Sequence, residues 1–64
     1  MKRDWMREKR KALGLTQVQL SAKANVSVRS ISHAEMGVRN PEVPIAKRLA
    51  SVLGVDWTKF YEEP

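Results

Sequence analysis

Gly14, Asn25, Gly37 and Gly54 fall at intervals of 11 to 17 residues, and each is a residue type that ends a helix in the left-handed region. The chain is thereby cut into segments too short for anything but brief helices or strands. Between the breaks the apolar residues recur with helical rather than alternating spacing, and no period-2 run is long enough for a strand. The expectation is an all-α fold in one compact domain over residues 1–64, with one modest core, since a chain of this length buries only about 60% of its unfolded surface.

The start signals agree with the stops. A first helix is predicted from about Lys2 to Leu13, with Trp5, Met6, Ala12 and Leu13 on its inner face and Lys9 snorkelling out of that arc. Thr16 followed three residues later by Gln19 forms a capping box for a second helix, Gln17 to Ala24. Ser27 is an N-cap for a third, Val28 to Met36. Residues 38–43, containing Arg39-Asn40-Pro41, form a loop. Pro44 suits the first turn of a fourth helix that runs to about Leu53 with Ile45, Leu49, Val52 and Leu53 inward. Asp56 caps a short fifth helix carrying Trp57, Phe60 and Tyr61.

Composition removes several classes of function. There is no cysteine and a single histidine, so disulfides, cysteine-based metal sites and histidine clusters are excluded, and no metal or cofactor is expected. The longest apolar stretch, around Leu49–Val55, is far below the roughly 20 residues of a membrane span. No signal-peptide pattern opens the sequence, and a soluble cytoplasmic, nucleoid-associated protein without a membrane partner is the expectation. Ser32 and His33 are neighbours on a helix, where adjacent side chains diverge, so they form no catalytic pair. An enzyme is not expected, nor is a small-molecule ligand.

Charge is uneven. Residues 1–48 hold eleven Lys and Arg against four acids, a net +7, whereas residues 49–64 carry −2. A basic body fits a polyanionic partner. Two short helices joined at Asn25 have the shape of a helix-turn-helix at about residues 17–36. Leu20, Ala24, Val26, Ile31 and Ala34 would lock the two helices, and Ser21 is small where they approach most closely. The third helix divides accordingly: Ile31, Ala34 and Glu35 face one way, while Val28, Arg29, Ser32, His33 and Met36 spread over the other arc. On that arc Arg29 has the donor fork for guanine O6 and N7, Ser32 and His33 have groups for base edges, and Val28 suits a thymine methyl.

Leu15-Thr16-Gln17-Val18-Gln19-Leu20, Asn25-Val26-Ser27, Ile31-Ser32-His33-Ala34-Glu35-Met36-Gly37, Arg39-Asn40-Pro41 and Leu49-Ala50-Ser51-Val52-Leu53-Gly54-Val55 together resemble the lambda-repressor-like Cro family of helix-turn-helix regulators, over about Met6 to Phe60. The resemblance implies a five-helix domain whose third helix enters the major groove of double-stranded DNA, as a homodimer repressing from a palindromic operator. Ser21, Asn25, Lys9 and Ala34 depart from the family's usual residues, and Trp5 is the candidate to fill the space left by Ala34. Val28, Arg29, Ser32 and His33 are assigned to bases. Gln17, at a helix N-terminus that favours an anion, is assigned to phosphate, as are Ser27, Arg39, Asn40 and Arg10. Asn40 reads equally as a turn residue before Pro41. Glu35 beside core positions needs a partner, and the resemblance implies that Arg10 supplies it. Trp57, Phe60 and Tyr61 exceed what so small a core holds and are divided between core and dimer interface. The competing reading is a helix-turn-helix that serves as a protein-interaction module, an antitoxin or adaptor, without an operator of its own.

Overall fold

The computed structural model describes residues 2–62. Four α-helices, α1 (Asp4–Ala12), α2 (Gln17–Ala24), α3 (Val28–Met36) and α4 (Val43–Leu53), are followed by a 3-10 helix, Trp57–Tyr61. No strand occurs among the described residues. The expected fifth α-helix is thus a 3-10 helix instead. Five residues cannot sustain an α-helical ladder, and the tighter i→i+3 pattern is the usual form of so short a piece. Asp56 still caps it, its Oδ1 accepting from the Thr58 N–H at 2.9 Å and the Thr58 hydroxyl at 2.6 Å.

Local chemistry sets each boundary. The Thr16 hydroxyl accepts from the Gln19 N–H at 3.0 Å while the Thr16 N–H donates to Gln19 Oε1 at 2.9 Å, so both halves of the capping box are made. Asn25 ends α2 at φ +56°, the one non-glycine residue with positive φ among those described. Its short polar side chain tolerates that region better than a branched one. Ser27 Oγ receives the Ser30 N–H at 3.1 Å and starts α3. α1 has no side-chain cap and begins later than expected, at Asp4. α4 begins one residue earlier, at Val43, which leaves Pro44 in the first turn where its missing N–H costs nothing.

Met6, Leu20, Ile31, Leu49 and Phe60 are fully enclosed, with Ala24, Ala34, Ala46, Ala50 and Leu53 around them. α2 packs on α3 and α4, α1 touches α3 and α4, and the 3-10 helix closes against α4. Two expectations for α1 fail. Ala12 is exposed and Leu13 is 51% exposed. The helix turns away there, and its second inward position is Arg10, one turn after Met6. In α4 the deepest side chains are Ala46, Leu49, Ala50 and Leu53, with Ile45 and Val52 at the margin of the core. Two alanines on the inner face let α4 approach its neighbours closely. Trp5, the expected filler beneath Ala34, lies partly buried against Phe60, edge to face with ring centroids 5.1 Å apart.

Candidate nucleic-acid interface

The outward surface of α3 consists of two rows. Arg29 and His33, four residues apart, line one side of an open cleft of about 530 Å³. Ser27 and Ser30 of the α3 start, Arg39, Asn40, Pro41 and Glu42 of the following loop, and Ile45 of α4 complete its lining. Val28 and Ser32 occupy the neighbouring row with Met36, whose Sδ receives the Ser32 hydroxyl at 3.7 Å. Arg29 is exposed, Ser32 and His33 are half-buried, and Val28 is 37% exposed. The four side chains expected to read bases thus share one helix surface. Two of them also share a cleft with the Arg39–Asn40 loop.

That loop is fastened at several points. Gly37, at φ +71°, turns the chain out of α3; its N–H donates to the Ala34 carbonyl at 3.2 Å, and the Val38 N–H to the His33 carbonyl at 3.1 Å. A Cβ at that φ is strained, which is why glycine suits the position. The Tyr61 hydroxyl donates to the Pro41 carbonyl at 2.5 Å. Arg3 donates through Nη2 to Asn40 Oδ1. Asn40 is therefore a fastened loop residue with one end of its amide in use and the other facing solvent.

Behind α3 lies a buried polar network. Arg10 Nε donates to Glu35 Oε2 at 2.6 Å and Nη2 to Oε1 at 3.2 Å, a two-pronged pair between side chains only 10% and 6% exposed. Arg10 Nη1 donates to the Leu15 carbonyl at 2.9 Å. Gln17 Nε2 donates to Glu35 Oε1 at 3.2 Å. The carboxylate of α3 is thus held by α1 and by the first residue of α2, which ties the orientation of α3 to the rest of the fold. No buried side-chain nitrogen or oxygen among the described residues lacks a partner.

This geometry changes several assignments. Arg10, assigned both to phosphate and to Glu35, has a nearly buried guanidinium turned onto Glu35 and Leu15, as the ion-pair assignment requires. Gln17 is half-buried, and one of its two amide protons is directed at Glu35, leaving the other for an outside acceptor. Ser27 Oγ lies 2.9 Å from Ser30 Oγ and accepts the Ser30 N–H, so its hydroxyl is engaged at the start of α3. Phe60 is 1% exposed and cannot take part in a dimer surface. Trp57 and Tyr61 remain half-buried, edge to face with centroids 6.0 Å apart, and Lys47 Nζ lies 5.2 Å from the Trp57 ring.

Three participants escaped the sequence reading. Arg3 reaches across the molecule to α3, the loop and the 3-10 helix. Arg48 donates through Nη1 to the Asn25 carbonyl at 3.4 Å and braces the helix-turn-helix joint. Glu42, exposed at the start of α4, is among the residues that line the cleft. None of these has a periodic signature, because each depends on contacts between residues distant in sequence.

Elsewhere the molecule is plain. No group of His, Cys, Asp or Glu among the described residues is arranged to hold a metal ion, and no helix is long and apolar enough to cross a membrane. The Asp56 carboxyl is held below the ordinary carboxylate range by its hydrogen bonds from the Thr58 side chain and backbone.

The chain matches the helix-turn-helix family over residues 6–60. It is 33% identical over 63 residues to a Bacillus subtilis (strain 168) protein named as the uncharacterized HTH-type transcriptional regulator YqaF, covering 98% of this chain and 83% of that one. It is 40% identical over 52 residues to a Methanothermobacter thermautotrophicus protein also named as an uncharacterized HTH-type transcriptional regulator, covering 81% and 75% of the two chains. No solved structure matches. With the capped α2–α3 pair, the Asn25 joint and a match across nearly all of its described residues, the chain belongs to the Cro-type helix-turn-helix family of DNA-binding regulators.

Proposed function

We propose that the protein is a sequence-specific transcriptional repressor that binds a palindromic operator in double-stranded DNA as a homodimer. α3 lies in the major groove, where Val28, Arg29, Ser32 and His33 read base edges. Arg39, Asn40 and Gln17 grip the flanking phosphates, the last aided by the amides at the start of α2. The observation that carries the reading is the placement of exposed Arg29 and half-buried His33 on a cleft that the Arg39–Asn40 loop also lines. Base-reading and phosphate-binding groups are there side by side on a surface of a strongly basic chain. Trp57 and Tyr61 supply the aromatic edge of the dimer interface. A two-fold dimer would place its half-sites about one helical turn, roughly 34–36 Å, apart.

The two kinds of contact separate in one experiment. Arg29→Ala is expected to lose about 1–3 kcal/mol on the preferred site and to relax the choice of one base pair. Arg39→Ala is expected to weaken preferred and random duplexes alike and to lower the salt slope by about 1. Equal losses on both duplexes for both variants would sink this division of roles. Retained DNA binding by Arg29→Asp, with loss of a protein partner, would favour the interaction-module alternative.

A further inference from the structure

Arg3 lies just before α1, outside the helix-turn-helix. Its backbone N–H donates to the Glu35 carbonyl at 2.8 Å. Its Nη1 donates to the Ala34 carbonyl at 2.7 Å, and its Nη2 donates both to the Phe60 carbonyl at 2.8 Å and to Asn40 Oδ1. The guanidinium carbon stands 5.9 Å from the Phe60 ring centroid. One side chain therefore joins the last turn of α3, the cleft loop and the 3-10 helix.

The chemistry of the Asn40 contact carries the inference. A guanidinium has only donors, so the atom it holds must be the amide oxygen. The Asn40 Nδ2 then points away from Arg3, and among the described residues it donates to no group. A DNA phosphate only accepts. Without Arg3 the amide rotates freely and presents oxygen, which repels phosphate, as readily as nitrogen. We propose that Arg3 is a positioning residue for DNA binding, locking the exposed Asn40 amide so that its N–H groups face the phosphate backbone. This rests on the DNA-binding reading above.

The test is a double-variant cycle in the full chain, measured by fluorescence anisotropy on two labelled duplexes, one carrying the preferred site and one of random sequence. Arg3→Ala and Asn40→Ala are each expected to weaken binding to both duplexes by about 10- to 150-fold, the range for one hydrogen bond to a charged group. The double variant is expected to bind no more weakly than Asn40→Ala. Losses that multiply, or full affinity in Arg3→Ala, would overturn the proposal. Arg3→Lys keeps the charge but cannot span the same acceptors. In that folded variant, 15N relaxation of the Asn40 side-chain amide should show a loss of order relative to the parent, and unchanged order would also overturn it. If the unaltered chain binds neither duplex, the DNA-binding reading fails and this proposal falls with it, whatever the relaxation data show.

Discussion

Removing the Glu35 carboxylate tests how the recognition surface is held. In Glu35→Ala the Arg10 guanidinium stays buried with its charge and keeps a single acceptor, the Leu15 carbonyl at 2.9 Å. It loses the bonds at 2.6 and 3.2 Å, and Gln17 loses its partner as well. Breaking a buried pair by deleting one member costs about 3–5 kcal/mol, mostly because the remaining charge is uncompensated. A chain of 64 residues has a total stability of about 3–10 kcal/mol, so the variant should be marginal or unfolded at 25 °C. Urea unfolding followed by circular dichroism at the helix band measures it, and the loss should persist in high salt because buried pairs are weakly screened. The paired replacement Arg10→Met with Glu35→Leu removes both charges and should recover most of the stability. Because Glu35 also holds the Gln17 amide, that double variant should bind preferred and random duplexes alike more weakly than the parent. A Glu35→Ala chain within about 1 kcal/mol of the parent, or a double variant no more stable than the single one, would refute the reasoning.

Other perturbations follow from the same contacts. Phe60→Ala should cost about 3–5 kcal/mol in thermal or urea unfolding, since it empties a fully enclosed site and removes the edge contact with Trp5. Asn25→Val should destabilise by about 1–2 kcal/mol because a branched side chain resists φ +56°, whereas Asn25→Gly should be close to neutral in the same measurement. Asp56 has a folded-state pKa below its ordinary 3.8, so the cap's contribution is fully present above that value and lost as pH falls through the folded one. Stability measured from pH 5 downward should therefore drop less steeply in Asp56→Ala than in the parent.

The helices were legible in the sequence where punctuation is local. Thr16 with Gln19, Ser27, Asn25, Gly37 and Gly54 act within one turn of themselves, and α2 and α3 fall on the expected residues. α1 was misread in detail because periodicity scores Ala12 and Leu13 by hydrophobicity alone. Arg10 occupies the inner face through an ion pair with a residue 25 positions away. The last helix was placed correctly but not typed, since hydrogen-bond pattern in a five-residue piece depends on its packing. At the candidate site, the side chains of α3 and the following loop could be named from composition and helical phase. The Arg10–Glu35 pair that the resemblance implies is present, whereas the sharing of the loop's cleft by Arg29 and His33 depends on the crossing of helices and has no sequence signal. Arg3 carried no local signal at all.

Recognition of a particular DNA sequence by the α3 surface is open to direct measurement. Selection of bound duplexes from a random pool by the full chain tests it most directly. The expected result is enrichment of a two-fold-symmetric site with half-sites about 10 base pairs apart, bound more weakly as salt rises and with altered sequence preference in Arg29→Ala. A pool that shows no enriched sequence, or a preferred site unchanged by Arg29→Ala, would contradict it.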